Sequence, residues 1–143
     1  NVNDMSGMFQ NAESFNGDIS GWDVSNATKM EYMFSAAVSF NGDISGWDVS
    51  KVNNMGYMFW GAYSFNQDIS GWDVSSVTTM YQMFSEAESF DQDLSNWDVS
   101  NVNNMAYMFD YADDLSDSNK CAIHTEFNSN ENWPYDWDEY CSD

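Results

Sequence analysis

The chain has very few positively charged residues. Only 3 of its 143 residues are Lys or Arg, against 24 Asp or Glu, so its formal net charge is −21 at pH 7. DNA, RNA and anionic membrane surfaces bind clustered Lys and Arg, but Lys29, Lys51 and Lys120 stand singly. No stretch reaches the roughly 18 consecutive apolar residues that a membrane-spanning helix needs. We therefore expect no nucleic-acid partner and no membrane insertion by this segment.

Residues for nucleophilic catalysis are equally scarce. The chain has one His, His124, and two Cys, Cys121 and Cys141, whose spacing is not that of metal ligands. No Ser-His-Asp or Cys-His constellation can be drawn from them. We therefore predict no catalytic residues and no enzymatic activity. The many carboxylates leave a glycosidase-like acid pair as a less favoured alternative.

Apolar and aromatic residues, by contrast, are plentiful. The chain is 43% hydrophobic and 17% aromatic. Acidic chains that stay disordered lack this apolar content, because they cannot bury enough surface to offset the lost chain entropy. The composition therefore predicts a folded, strongly acidic domain.

An internal repeat of 25 residues organises most of the sequence. A fixed period of this size is typical of repeat architectures, in which stacked units bury a continuous core. We predict a repeat solenoid over residues 1–115, with an incomplete first unit, and a C-terminal cap over residues 116–143. The periodic series include Met5, Met30, Met55, Met80 and Met105; Trp22, Trp47, Trp72 and Trp97; and Phe15, Phe40, Phe65 and Phe90.

Each unit combines two apolar spacings. Residues 44–49 alternate in a way that predicts a short strand with Trp47 and Val49 facing the core. Residues 52–65 carry apolar residues at helical spacing, which predicts a short helix. The predicted fold is an α/β repeat solenoid, leucine-rich-repeat-like, with one short parallel strand and one short helix per unit. Candidate helix N-caps are Asn3, Thr28, Asn53, Thr78 and Asn103.

The string FNGDISGWDVSKVNNMGYMF at residues 40–59 carries a family resemblance. It resembles the roughly 25-residue repeat of surface proteins and lipoproteins of Mycoplasma and Listeria, related to the BspA-like leucine-rich repeats. The resemblance covers about residues 1–115. It implies an extracellular or cell-surface location and an adhesion-type role, and it implies no catalytic residues.

The segment after Leu115 departs from the period and reads as a cap over the open end of the core. A disulfide between Cys121 and Cys141 would close a loop of about 20 residues and stabilise the cap by roughly 3 kcal/mol. It would also imply an oxidising compartment. Two reduced, buried thiols are the alternative. The residues expected to cover the core are Trp133, Tyr135, Trp137 and Tyr140.

Two columns of Asp follow from the repeat. Asp side chains often bond backbone N–H groups or a Ser two residues on, and this interpretation is favoured for the first column. For the second column, calcium or a cationic partner is an alternative, because Ca²⁺ prefers carboxylate and carbonyl oxygens. No cofactor is expected, and calcium is the alternative. The first column is Asp18, Asp43, Asp68 and Asp93, and the second, candidate metal ligands, is Asp23, Asp48, Asp73 and Asp98.

Positions that vary between units hold several aromatic residues. On the predicted helix, Tyr57, Trp60 and Tyr63 lie three apart on one face, with Tyr32 and Tyr107 in the same column as Tyr57. Clustered exposed aromatics mark contact sites. These five residues are the candidate interaction surface, and packing against neighbouring helices is the alternative. The periodic Trp residues are expected to point inward, with an exposed sugar-stacking ribbon as their alternative.

These features favour a non-enzymatic extracellular repeat domain acting in cell-surface adhesion, protein–protein interaction or assembly of a surface structure. The expected partner is a protein or glycan at a cell surface. A carbohydrate- or calcium-binding module is the alternative. Because the chain starts inside a repeat, its first unit has an exposed apolar end, which predicts further repeats upstream or end-to-end self-association through the N-terminal rung.

Overall fold

The computed structural model describes residues 2–141. Asn1, of the predicted repeat region, and Ser142 and Asp143, of the predicted cap, lie outside the described residues. Residues 2–141 contain two helices: α1, Asp117–Phe127, and a short 3₁₀ helix, Asp138–Cys141. Neither of these two helices in the described part of the chain has the length and apolar character needed to cross a bilayer.

The predicted leucine-rich-repeat-like solenoid of strands and helices is wrong. From residue 2 to residue 116 the chain contains no helix and no strand, and its parallel pairing is limited to isolated bridges. The predicted strand at residues 44–49 contains a turn instead, in which the Trp47 N–H donates to the Ile44 carbonyl at 3.2 Å. Each unit is a series of turns, and we call one such unit a layer.

The predicted helix fails because its hydrogen bonds go elsewhere. In an α-helix each N–H bonds the carbonyl four residues back. Here the Met58 N–H donates to the carbonyl of Met55, three residues back, at 3.2 Å. Alternate N–H groups leave the layer, so Tyr57 donates to Tyr81 at 2.8 Å and Phe59 to Met83 at 2.9 Å. The apolar residues spaced three and four apart therefore mark successive turns of the chain and not one face of a helix.

Two residues in each layer adopt the left-handed conformation, which interrupts any helix. In the third layer they are Tyr57 (φ 56°) and Gly61 (φ 65°). This conformation costs an L-residue about 1–2 kcal/mol and is uncommon outside Gly, Asn and Asp. The other members of these two columns are Gly7, Asn11, Tyr32, Ala36, Gln82, Glu86, Tyr107 and Tyr111.

The predicted helix N-caps join neighbouring layers instead. The Asn53 N–H donates to the Thr28 carbonyl at 2.8 Å, and the Thr78 N–H to the Asn53 carbonyl at 2.9 Å. The position after each of these residues forms a parallel bridge with its equivalent one repeat on. The bridges run through Asp4, Lys29, Asn54, Thr79 and Asn104.

The core is a stack of aromatic rings running through the layers. The Phe59 ring lies 5.6 Å from Phe34 and 5.5 Å from Phe84, nearly parallel to both, and all three are buried. The periodic Trp residues point inward as predicted wherever a preceding layer is present. The Trp72 indole N–H, for example, donates to the Ile44 carbonyl at 3.0 Å. Each layer is thus completed by its neighbours.

The segment after the repeats covers the last layer. Helix α1 begins after Ser116, whose side chain accepts a hydrogen bond from the Asn119 N–H, and its buried side chains include Ile123 and Phe127. The predicted disulfide is present and joins α1 to the 3₁₀ helix. Its two residues are Cys121 and Cys141, with Cα atoms 4.9 Å apart.

Rings from the same segment pack on the last Phe of the stack. Trp133 and Trp137 are buried, and their ring centroids lie 6.1 and 5.7 Å from that of Phe109. The Tyr135 hydroxyl accepts a hydrogen bond from the Phe109 N–H at 2.9 Å. This phenol therefore replaces the carbonyl that a further layer would supply.

Candidate functional site

A row of tyrosines crosses the outside of four consecutive layers. The rings of Tyr32 and Tyr57 are stacked with centroids 4.5 Å apart. Tyr81 meets Tyr57 edge-on at 5.2 Å and Tyr107 edge-on at 6.0 Å. We call this side of the molecule, together with Trp60 and Tyr111, the aromatic face.

The left-handed backbone positions supply most of this face. Tyr32, Tyr57 and Tyr107 belong to the first left-handed column, and Tyr111 belongs to the second. Strained backbone of this kind persists only where surrounding contacts enforce it, and it concentrates at functional sites. At Tyr32 and Tyr57 the next layer holds this backbone, because their N–H groups donate to the Gly56 and Tyr81 carbonyls at 3.0 and 2.8 Å. The observation motivates a functional role for the face.

Two shallow cavities lie side by side on the aromatic face and share Trp60 and Gln82. The first, the neutral cavity, has a volume of about 310 Å³, and the second, the acidic cavity, about 300 Å³. The neutral cavity is lined by Gln10, Asn11, Tyr32, Ser35, Tyr57, Trp60 and Gln82. The acidic cavity is lined by Trp60, Gln82, Ser85, Glu86, Tyr107, Asp110 and Tyr111.

Two phenols on or near the aromatic face, those of Tyr57 and Tyr135, have raised pKa values. Partial burial, followed by the neighbouring phenols of Tyr32 and Tyr81, raises the pKa of Tyr57 to about 12. Burial also raises the pKa of Tyr135, and its hydrogen bond to the Asp110 carboxylate raises it further. The acidic residues that line the acidic cavity are Glu86 and Asp110.

The structure brings together four of the five predicted interaction residues. Tyr32, Tyr57 and Trp60 line the neutral cavity, and Trp60 and Tyr107 line the acidic one. Tyr63 is 42% exposed but lines neither cavity. The helix-face argument that grouped Tyr57, Trp60 and Tyr63 is wrong, because no helix is present there. The binding role of these residues stays a prediction.

Sequence reasoning missed Tyr81, Gln82, Glu86 and Tyr111, although all contribute to the face or its cavities. Tyr111 is 71% exposed. A usable signal was present, because Glu86 and Tyr111 occupy the same column as Asn11 and Gly61, two residue types that tolerate left-handed backbone.

The Asp residues of both columns hold local turns. Asp48 accepts hydrogen bonds from the Ser50 N–H at 3.0 Å and the Ser50 hydroxyl at 2.6 Å. These bonds, first from the hydroxyl and then from the backbone, lower the pKa of Asp48. The same two causes, from the Ser two residues on, lower the pKa of the other candidate calcium ligands. Those ligands are Asp23, Asp73 and Asp98. Calcium binding there stays a prediction.

Within residues 2–141, a different group places three ligand-type atoms within 4.8 Å of one another: His124, Asp136 and Asp138. The Trp133 indole N–H donates to Nδ1 of His124 at 3.0 Å, and Nε2 lies 2.9 Å from an Asp138 oxygen. An indole only donates, so Nδ1 carries no proton and Nε2 donates to Asp138. Nε2 then has no lone pair for a metal, and His124 acts as a structural link within the cap.

A third cavity, of about 600 Å³, lies between the last layer and the cap. Its lining is mainly amides and carboxylates, among them Asp98, Asn101 and Glu131. Asn130, also in the lining, donates from its side-chain amide to the Val99 and Val102 carbonyls at 2.9 and 2.8 Å. We interpret this cavity as part of the boundary at which the cap packs against the last layer.

The stacked turns, the covering segment and the aromatic face define a repeat protein with an aromatic surface on one side. The chain belongs to the family described as Mycoplasma protein of unknown function, DUF285, whose model matches residues 1–80 and residues 45–133. No curated protein and no solved structure matches the chain. The family match supports the Mycoplasma part of the resemblance predicted from the sequence and gives no support to a BspA-like leucine-rich repeat.

Proposed function

We propose that this chain is a non-enzymatic binding domain that acts at a cell surface, in adhesion, protein–protein interaction or assembly of a surface structure. The observation that carries the proposal is the aromatic face with its two adjacent cavities. Trp and Tyr dominate the binding energy of protein interfaces, because they bury a large area and carry a polar group. Here both residue types gather on one side of the molecule.

The hydrogen-bonded backbone of the layers supports this role. Tyr107 and Tyr111 are 54% and 71% exposed, yet their backbones belong to the last layer of the stack. A binding group held on an ordered backbone loses little entropy when a partner binds. The face therefore presents its rings in a preorganised array.

A surface location is supported by three features. The disulfide between Cys121 and Cys141 suits an oxidising environment. The net charge of −21 keeps such a domain soluble and separate from anionic surfaces. The repeat also resembles those of surface proteins and lipoproteins of Mycoplasma and Listeria.

A glycan is the second candidate partner, and the neutral cavity favours it. Gln10, Asn11 and Gln82 offer amide donors and acceptors beside the rings of Tyr57 and Trp60. Planar amides next to an exposed ring can bond the hydroxyls of a sugar while the ring covers its apolar side. No cofactor is part of either proposal.

Binding to a mixed protein and glycan array from cell surfaces tests the proposed function. We expect Trp60→Ala to weaken binding to the captured ligand by about tenfold or more, as for a central hot-spot residue. Tyr63→Ala is the matched control, because Tyr63 is an exposed aromatic of the same layer outside both cavities. Equal binding by wild type and Trp60→Ala, or equal losses in the two variants, would contradict a role for the face.

A further inference from the structure

The acidic cavity combines three aromatic rings with two carboxylates. Trp60, Tyr107 and Tyr111 supply the rings, and Glu86 and Asp110 supply the negative charge. The Glu86 N–H donates to the Asp110 carbonyl at 2.8 Å, so one of the bonds that join layers holds the two acidic residues side by side. The aromatic and charged groups therefore converge on one space of about 300 Å³.

Within residues 2–141, no cation neutralises either carboxylate. The side chains of Lys29, Lys51 and Lys120 do not line the cavity. Asp110 accepts a hydrogen bond from the neutral phenol of Tyr135. Among residues 2–141, no hydrogen bond or ion pair of the Glu86 side chain is present. The cavity thus carries a net negative charge beside exposed ring faces.

We propose that the acidic cavity binds an arginine side chain of a partner protein. This assignment rests on the proposed function and adds the chemistry that the partner must present. A guanidinium group is planar and weakly hydrated, so it stacks on Trp and Tyr rings. Its fork of N–H donors also matches carboxylate oxygens in a bidentate way. The rings of the cavity and the Glu86 and Asp110 carboxylates meet both requirements.

Other ligand classes fit the cavity less well. A quaternary ammonium group stacks on aromatic rings but has no N–H to donate to Glu86 or Asp110. A neutral sugar would cover the two carboxylates without compensating their charge, which costs free energy. An anionic ligand would be repelled. A hydrogen-bonding planar cation is the occupant that suits both the rings and the carboxylates of the lining.

N-acetyl-arginine amide, titrated into the full chain, tests the assignment with a defined probe. The readout is the indole N–H resonance of Trp60 in a ¹H–¹⁵N spectrum, identified through Trp60→Phe. N-acetyl-citrulline amide is the matched control, because citrulline has nearly the same shape and no charge. We expect a saturable shift with the arginine probe and an affinity weaker by about fivefold or more for citrulline. Equal affinities for the two probes would overturn the proposal.

Two variants locate the effect in this cavity. Glu86→Gln keeps the side-chain shape and should weaken arginine binding by about threefold or more while leaving citrulline binding unchanged. Tyr111→Ala removes an exposed ring and should weaken arginine binding as well. An unchanged arginine affinity in both variants, or choline binding as tightly as the arginine probe, would overturn the assignment.

The outcomes separate this inference from the proposed function. If array ligands depend on Trp60 but the arginine probe does not bind, the binding face stands and the arginine assignment fails. If the arginine probe binds but no array ligand depends on Trp60, the cavity chemistry stands and the proposed function fails.

Discussion

The first and fourth layers share the repeat pattern but have very different surroundings. Trp22 and Trp97 occupy equivalent positions, yet Trp22 is 42% exposed and Trp97 only 3%. The Trp97 indole donates to the Ile69 carbonyl of the preceding layer at 3.0 Å. Trp22 has no preceding layer within residues 2–141. Burial of the repeated aromatics is therefore a property of the neighbouring layer.

Local hydrogen bonds, in contrast, are the same in these two layers. The Ser25 N–H donates to Asp23 at 3.0 Å in the first layer, and the Ser100 N–H donates to Asp98 at 3.0 Å in the fourth. These turns close within three residues and need no neighbour. The molecule thus separates contacts that one repeat makes alone from contacts that require two.

The two ends also differ in whether their apolar residues are covered. At the C-terminal end Tyr135 bonds the Phe109 N–H and aromatic residues cover its ring. At the N-terminal end Val2, Met8 and Trp22 are exposed. An apolar end of this kind favours association. End-to-end self-association through this layer stays a prediction.

The largest expected effect contrasts a central ring with a terminal one. Phe59→Ala should destabilise the protein by about 3–5 kcal/mol, because Phe59 is fully buried between two parallel rings. Phe9→Ala, at the equivalent position of the half-open first layer, should cost about half as much. Urea unfolding followed by circular dichroism measures both. Similar losses of unfolding free energy in the two variants would mean that contact with neighbouring layers does not determine how much each buried ring stabilises the protein.

Breaking the disulfide should remove the difference between the covered end and the open end. Cys121 and Cys141 are 20 residues apart, and closing such a loop contributes about 3 kcal/mol. We expect dithiothreitol to lower the melting temperature and to increase dye binding to the exposed last layer. The double variant Cys121→Ser, Cys141→Ser is the control and should not respond to dithiothreitol. An unchanged melting curve of the wild type would contradict the role of this bond.

A smaller effect tests the indole bond between layers. Trp47→Phe removes the donor to the buried Ile19 carbonyl, a 3.1 Å hydrogen bond, and should cost about 1–3 kcal/mol. Trp22→Phe in the first layer should change stability by no more than about 0.5 kcal/mol. Chemical unfolding of both variants checks this. The comparison between ends fails if the two substitutions are equally destabilising.

The smallest effect concerns the Asp turns, which should behave alike in every layer. Hydrogen bonds from Ser50 lower the pKa of Asp48 below its ordinary value of 3.8. The lowered pKa means that the ionised form stabilises the fold above the unfolded pKa, and this contribution is lost as pH falls through the folded pKa. The stability difference between wild type and Asp48→Asn should therefore shrink as the pH is lowered below about 4.

Unfolding curves at a series of pH values measure this difference. Asp23→Asn, in the first layer, should give the same pH dependence, because its bonds to Ser25 are also local. Ser50→Ala should shift the loss of stability to higher pH, since it removes the main cause of the lowered pKa. A difference that is constant with pH would contradict this account.

Much of the arrangement could be predicted from the sequence, but not the conformation of each unit. The apolar positions, including Met55, Phe59 and Trp72, are buried, because any stack with this period must hide them. The prediction of a helix at residues 52–65 was wrong, because the residues of successive turns also recur every three or four positions. Gly7 and Gly61 are residue types that indicate left-handed backbone. Tyr57 and Gln82 adopt the same conformation, but their residue types give no sign of it. Four of the five predicted interaction residues share a face because of these turns.

The sequence by itself determined the repeat, the residues that the core would bury, the Asp–Ser turns and the one pair of cysteines available for a disulfide. These features depend on spacing along the chain or on groups a few residues apart. Only the tertiary structure decided that alternate N–H groups bond the next layer, that the end Trp22 stays exposed and that Trp60 meets Glu86 in one cavity. Those outcomes join residues about one repeat apart, whose contacts exist only after the layers have stacked.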